Sequence, residues 1–299
     1  MRRTGPGSVL VVGAGAAGLT AAAAAKDRGW EVTVLEKEQV IGGKCRSLHH
    51  DGAVYDLGAN LTTPRYTYIR DLADRLGMTR RHLTDRRIVN LSNEDFPSLQ
   101  DANLLKRLLV RGSSSLYVAA RSLSGIEKHG YGDLAAAVEQ PFGVWLERHG
   151  LAPFREVFAT LFVAYGYGLM DELPAAYALK FFDKVHLQAA IDVILGQDVT
   201  DTMDFEEGFG ELWERVDRHW ELGTHRGARL VQIHRSPRGV SAIWSDRNDV
   251  TRVQRFDRLV VACPLDLSLG FLDASAAEQR LFSQLRYNDY YVTAAILHG

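Results

Sequence analysis

Residues 8–36 restrict what this chain can fold into more than any other stretch. Ser8-Val9-Leu10-Val11-Val12 is a short β-branched run of the kind a buried parallel strand shows. Gly13-Ala14-Gly15-Ala16-Ala17-Gly18 comes directly after it, and then an alanine-rich, helix-favouring segment from Leu19 to Asp27 that stops near Gly29. A second apolar run, Val32-Thr33-Val34-Leu35, ends in Glu36, 18 positions after Gly18. Strand, glycine turn, helix, strand and acid in this order predict a dinucleotide-binding α/β unit. Gly13 permits the tight turn, Gly15 lets the backbone approach a pyrophosphate, and Gly18 lets the helix pack on the strand. The helix start at Ala16 and Ala17 offers unpaired N–H groups and a positive dipole end to the phosphates. Glu36, with Lys37 beside it in the binding set, can accept from both ribose hydroxyls, and its charge would repel a 2′-phosphate, which disfavours NADP.

The rest of the composition removes other classes. At about 150 residues per domain, 299 residues allow two domains. Charges nearly balance, 35 Lys+Arg against 37 Asp+Glu, so no global field draws the chain to nucleic acid or anionic lipid. Met1-Arg2-Arg3 before the apolar run Ser8 to Ala25 imitates a secretory leader, but the glycines account for that run. No stretch reaches the roughly 20 apolar residues of a membrane span, and the best internal candidate is broken by Gly166 and Gly168. Cys45 and Cys263 lie too far apart in sequence for a disulfide framework or a metal cluster and suit a reducing cytoplasm. The expectation is a cytoplasmic protein without a metal, a nucleic-acid partner or a transmembrane segment.

The residues after Glu36 separate NAD from FAD. Val40-Ile41-Gly42-Gly43-Lys44 comes next, and Arg46-Ser47 with Ala53-Val54-Tyr55-Asp56-Leu57-Gly58-Ala59-Asn60 reads as a hairpin turning at Asp51-Gly52. On these residues the sequence resembles the flavin-containing amine-oxidase-like superfamily, whose FAD fingerprint runs through the acid into a Gly-Gly-Arg/Lys turn. The resemblance implies FAD as cofactor, with Gly42-Gly43 and the side chain of Lys44 or Arg46 along it. It further implies Gly58, Ala59 and Asn60 near the isoalloxazine, Leu230 where a backbone segment meets the adenine, and Ala262 at a strand end near the cofactor.

The fold expected is α/β: a Rossmann-like FAD-binding domain with a parallel central sheet, plus an inserted helical region and small antiparallel sheet forming a substrate domain. The boundaries predicted are 1–80 and 203–265 for the FAD-binding domain and 81–202 with 266–299 for the substrate domain. Pro64 can open a helix over 65–76, and Leu104, Leu105, Leu108, Leu109 and Val118 recur at helical spacing. Helical patterning continues from Leu134 to about Leu195, and a further helix is read over Trp213 to Trp220. Short alternating runs at 229–233, 240–244, 252–256 and 258–263 predict a small antiparallel sheet returning to the main one. Cys263 reads as a small buried residue or a redox thiol, and His49-His50 as a hairpin tip.

Phe162-Val163-Ala164-Tyr165-Gly166-Tyr167-Gly168 and Leu173-Pro174-Ala175-Ala176-Tyr177-Ala178-Leu179-Lys180, with Gly42-Gly43-Lys44-Cys45 and Thr63-Pro64-Arg65-Tyr66, resemble one branch of the superfamily. That branch is the FAD-dependent polyunsaturated fatty acid double-bond isomerases. The resemblance implies a hydride passing from an allylic carbon to flavin N5 and returning at another carbon, on a hydrophobic unsaturated acid. Tyr165 and Tyr167 would line the cavity over the flavin. Arg87, with Arg86 as its rival, would hold the substrate carboxylate in a planar two-point grip. The branch's aromatic lid falls on Ala190 here, a departure that bears on substrate identity.

Two alternatives stay open: a flavin oxidase or desaturase of the amine-oxidase type, and a non-catalytic FAD-fold subunit. The latter rests on the end of the chain, where Tyr290 to Gly299 reads as a strand of the substrate sheet and the superfamily's closing glycine-rich segment has no counterpart. The corresponding expectation is a fragment, a degenerate homologue, or a protein completed by a second polypeptide or by homo-oligomerisation.

Overall fold

The β-branched run at the start of the chain becomes the inner strand of a parallel sheet. In the computed structural model, which describes residues 6–64, 66–82, 136–152, 155–164, 166–181 and 203–295, this strand is β1 (Ser8–Val12). On one side it pairs with β2 (Glu31–Glu36), which pairs in turn with the short β7 (His225–Arg226), and on the other with β11 (Arg258–Val261). All three pairings are parallel. Successive side chains of a strand point to opposite faces, and here both faces are covered. Val9 and Val11 enter a core with Leu19, Ala22 and Ala23 of α1 (Ala16–Lys26) and Leu212, Trp213 and Val216 of α7 (Phe209–His219). Leu10 and Val12 enter a second core with Ile233, Ala242, Trp244 and Phe256. Val9 to Val12 are apolar at every position because no face of the strand meets water there.

That second core is closed by an antiparallel meander of β8 (Arg229–Ser236), β9 (Gly239–Ser245) and β10 (Thr251–Phe256), in the order β10-β9-β8. The predicted hairpin is present as β3 (Ser47–His50) and β4 (Ala53–Asp56), with Asp51 and Gly52 both at positive φ, 48° and 76°. Such a pair of positive φ values matches the right-handed strand twist in a two-residue turn. A smaller pairing joins β5 (Arg80–His82) to β6 (Met203–Phe205), where Arg81 grips the Asp204 carboxylate with two bonds of 2.9 and 2.7 Å. α2 (Thr67–Arg75) starts two residues later than Pro64 predicted, because a turn from the Tyr66 N–H to the Thr63 carbonyl precedes it.

The described residues divide into two compact units. The first takes Met1–Leu83, Asp201–Tyr287 and Tyr291–Gly299, and the second Thr84–Thr200 and Asn288–Tyr290. Among the described residues the helices of the second are α3 (Ala136–Glu139), α4 (Phe142–Arg148), α5 (Arg155–Ala164) and α6 (Ala175–Phe181). Phe142 centres their core, with the rings of Trp145, Phe158 and Phe162 between 5.7 and 5.9 Å away. The helical pattern around Leu104 to Val118 lies outside the described residues.

The segment after residue 265 departs from expectation. Residues 266–287 group with the first unit rather than with the helices. α8 (Leu265–Ser268) and α9 (Ala276–Phe282) come after β11, and Arg235 of β8 binds Asp273 and the Glu278 carboxylate of α9. The predicted C-terminal strand is absent from the described residues, none of which forms a strand ladder with 288–295. Instead the Asn288 amide donates to the Tyr167 carbonyl at 2.9 Å.

The Arg235 guanidinium holds the Glu278 carboxyl down at about 2, and, against the upward push of burial, bonds from the Arg235 backbone N–H and guanidinium keep Asp273 below the usual carboxylate range. A lowered folded-state pKa gives stability that is present above the unfolded value and is lost as pH falls through the folded one. The melting temperature is therefore expected to fall between about pH 4.5 and about 2. Arg235→Met should flatten that fall, as read by thermal melts across the window.

Candidate functional site

The site is built where β1 ends. Gly13 turns the chain at φ 100°, a conformation other residues resist, and a Cβ there would lie 2.9 Å from the Ala262 carbonyl oxygen. A Cβ on Gly18 would lie 1.9 Å from the Gly13 oxygen, so only glycine lets α1 pack against the turn. Gly15 differs from both, since its φ is −75° and the nearest atom to an added Cβ is the Gly43 Cα at 3.9 Å. Its bareness leaves space in front of the α1 N-terminus rather than relieving a clash. Gly15 is the N-cap and makes no side-chain cap bond, and no acidic residue sits in the first turn of α1. The first N–H groups of that helix and its positive dipole end thus stay available to an anion.

Glu36 is 9% exposed and its carboxylate is shared out: Oε2 accepts from the Ala14 N–H at 2.8 Å and Oε1 from the Glu38 N–H at 2.9 Å. The acid read from sequence as a ribose acceptor is also a brace for the glycine turn. Each carboxylate oxygen has a second lone pair, which is what two ribose hydroxyls would use.

Beyond it, Gly42 and Gly43 (φ 97° and 57°) bring the chain back to the turn. Gly42 bridges Gly15, its N–H donates to the Ala14 carbonyl at 2.8 Å, and a Cβ on Gly43 would lie 3.1 Å from the Gly15 Cα. Lys44 and Arg46 are exposed and make no ion pair among the described residues. The loop after the hairpin lies on this segment: the Leu57 N–H donates to the Arg46 carbonyl at 2.8 Å and the Ala59 N–H to the Lys44 carbonyl at 2.9 Å. A Cβ on Gly58 would meet the Lys44 oxygen at 1.9 Å. The fold therefore gathers Gly13, Gly15, Ala16, Ala17, Gly18, Glu36, Gly42, Gly43, Lys44, Gly58, Ala59 and Ala262 into one cradle with unused N–H donors and cations.

The sequence pattern of flavin containing amine oxidoreductases matches residues 16–297. The chain belongs to that family. The cofactor of the family is FAD, and the glycine cradle, the bare α1 N-terminus and the cations unpaired among the described residues have the chemistry a pyrophosphate would need. Among solved structures, the "CLA-producing fatty acid isomerase from P. acnes" is similar at 26% identity and a TM-score of 0.71, over 92% of this chain and 63% of that one. Putrescine oxidase shares the fold at 18% identity and a TM-score of 0.70, over 95% of this chain and 64% of that one. Among curated proteins, protoporphyrinogen oxidase 2 of Arabidopsis thaliana is 46% identical over 70 residues, 23% of this chain and 14% of its own length. Phytoene desaturase of Fusarium fujikuroi is 43% identical over 60 residues, 20% of this chain and 10% of its own. The chain thus spans less than two thirds of the length of these flavoenzymes.

The structure also places the other residues expected near the FAD. Ala262 donates its N–H to the Val12 carbonyl at 2.8 Å, beside the glycine turn. Leu230 is half-buried at the start of β8, where a bulge between Leu230 and Gln232 pushes Val231 outward, and the Ala228 N–H, two residues earlier, donates to the Glu36 carbonyl. Lys37 is exposed and pairs with Glu38 at 3.6 Å. Burial pushes the thiols of Cys45 and Cys263 up, which keeps both as neutral small packing groups at neutral pH. A cavity of about 300 Å³ lined by Thr224, His225, Arg226, Asp246, Arg247 and Asn248 contains none of the fingerprint residues.

Of the proposed substrate-side residues, Tyr165, Arg86, Arg87 and Ala190 lie outside the described residues. Tyr167 is 40% exposed and meets Phe162 edge-on at 5.6 Å. Sequence reading missed Ser47 and Asp56. α7 begins at Phe209, four residues before the helix predicted at Trp213, because its first N–H groups are capped from the β3–β4 hairpin. The glycines at 208 and 210 were the available signal.

Proposed function

We propose that the chain carries the FAD-binding machinery of an enzyme that moves double bonds in a hydrophobic unsaturated acid. The observation that supports this reading best is the likeness to the fatty acid isomerase over 92% of this chain. When bound, FAD supplies both an acceptor and a donor for a hydride. Such a cofactor would take a hydride from an allylic carbon and give it back to a different carbon of the same molecule, with the double bond shifted between them. Electrons balance within the substrate, so no external oxidant is consumed and no acid–base pair is required.

The protein's own part is to bind, orient and keep water out. Residues 81–202 are the proposed substrate side, with Tyr165 and Tyr167 lining the space over the flavin. Arg87, or Arg86 beside it, is the proposed carboxylate grip, since a guanidinium meets a carboxylate at two points. The nearly neutral chain and its reduced cysteines suit a cytoplasmic enzyme, and among the described residues no helix is long and apolar enough to cross a membrane.

A second reading, an oxidase or desaturase, is favoured by the identity of a stretch of 60–70 residues to protoporphyrinogen oxidase and phytoene desaturase. Anaerobic turnover of an unsaturated fatty acid without an added acceptor separates the two. An isomerase passes many equivalents of substrate with its flavin oxidised at the end. An oxidase or desaturase stops after one equivalent with its flavin bleached, and that result would overturn the isomerase reading.

A further inference from the structure

We propose that Ser47 and Asp56 form a polar latch that fixes the cofactor-facing loops to the N-terminus of α7, so that Asp56 is a positioning residue for bound FAD. The inference rests on the cofactor assignment above. α7 starts after Gly208, which sits at φ 82° and has no side chain with which to cap the helix. The open N–H groups of its first turn are satisfied from elsewhere: Asp56 Oδ1 accepts from the Phe209 N–H at 2.9 Å, and Ser47 Oγ accepts from the Gly210 N–H at 2.9 Å. The Ser47 hydroxyl donates in turn to the same Oδ1 at 2.5 Å. Ser47 and Asp56 are directly paired across β3 and β4, so the three bonds close over one rung of the hairpin.

Sterics agree with this joint. A Cβ on Gly208 would lie 2.5 Å from Ser47 Oγ and 2.7 Å from Val54 Cγ1, and a Cβ on Gly210 would lie 3.0 Å from Ser47 Oγ and 3.2 Å from the Cys45 carbonyl. Only a helix start bare on this side can touch the hairpin. One turn further along α7, Trp213 Cδ1 is 3.5 Å from where a Gly42 Cβ would be, so the helix also backs the glycine return.

The latch lies where both loops of the cradle are attached. Asp56 ends β4, and the next residues are those whose N–H groups rest on the Arg46 and Lys44 carbonyls. Ser47 begins β3, directly after Lys44-Cys45-Arg46. Releasing the α7 end frees both loops together. Keeping a carboxylate here has a cost, because burial pushes the Asp56 pKa up, with Asp204 adding to the shift and Ser47, the Phe209 N–H and Arg81 opposing it. In return, a charged acceptor makes stronger bonds to helix N–H groups and complements the positive helix end.

The test titrates the full chain with FAD in wild-type form and as Asp56→Ala, Asp56→Asn and Ser47→Ala. It reads the FAD dissociation constant, the visible circular dichroism of the bound flavin and the melting temperature of the apoprotein. Asp56→Ala should weaken FAD binding about tenfold or more and alter the flavin dichroism, whereas Asp56→Asn, which keeps an acceptor oxygen, should stay within about threefold of wild type. Ser47→Ala should fall between the two and decides the matter by itself where Asp56→Ala does not fold. Variants that lower only the apoprotein melting temperature, leaving FAD affinity and dichroism unchanged, would overturn the latch as a positioning device. A wild-type chain that takes up no FAD would refute the cofactor assignment, and the latch's role with it.

Discussion

Replacing Gly15 with Ala is expected to separate cofactor binding from folding, and replacing Gly18 with Ala to abolish binding and lower stability together. Gly15 has an ordinary negative φ, and its added methyl would have no neighbour nearer than the Gly43 Cα at 3.9 Å. The apoprotein should therefore melt within about 4 °C of wild type, since alanine is a poorer N-cap than glycine by about 1 kcal/mol or less and the less flexible unfolded chain offsets part of that. The methyl does occupy the space in front of the α1 N–H groups, so FAD affinity should fall about 100-fold, close to 3 kcal/mol. In Gly18→Ala the new carbon would lie 1.9 Å from a backbone oxygen that cannot rotate away. α1 must shift, at about 1–3 kcal/mol or more for overpacking, and FAD binding should be lost with it. Melting curves and flavin fluorescence titrations on the two variants check this. Equal affinity for FAD in Gly15→Ala and wild type would sink the pyrophosphate assignment.

Glu36→Gln is the second large effect. The wild-type carboxylate serves two different backbone N–H groups, one per oxygen. A glutamine offers one acceptor and one NH₂, so either Ala14 or Glu38 then faces a donor with its own N–H. Losing one bond to a buried charged acceptor costs about 1.5–3 kcal/mol. At roughly 2–4 °C per kcal/mol, the melting temperature should fall by about 3–12 °C. FAD affinity should fall at least tenfold, because the turn that presents the α1 N-terminus is no longer braced. An unchanged melting temperature would show that the two N–H bonds contribute nothing in solution.

Both predictions concern residues that are legible in the sequence, and the reason is that their surroundings are largely local. The β1 run, the glycine turn, α1, β2 and the β3–β4 hairpin obey local rules, and each forms near the positions its residues dictate. Gly13, Gly18 and Gly58 stand out as glycines, though the atoms that exclude a side chain from them come from elsewhere: the Ala262 carbonyl, the Gly13 carbonyl and the Lys44 carbonyl. Features that depend on contacts distant in sequence stay hidden. Asp56 and Phe209 are 153 residues apart, and no periodicity links them. For the same reason the sequence pattern starts α7 four residues too late, since the spacing of Trp213 and Val216 reports burial and says nothing of a cap supplied by another element. The apolar stretch after Tyr290 reads as a strand, but an extended run supplies only half of a pairing and no strand partner is present among the described residues. On the substrate side, the tyrosine-rich segment at 165–167 carries the resemblance, while aromatic side chains in a helical unit serve a core as readily as a cavity, as Phe142, Phe158 and Phe162 do here.

The central claim is that this chain carries a formed FAD cradle, and the visible spectrum of the purified chain after incubation with FAD and desalting tests it most directly. The expected result is a yellow protein with close to one flavin per chain and a flavin spectrum shifted from that of free FAD. A well-folded, colourless protein with no retained flavin would contradict it.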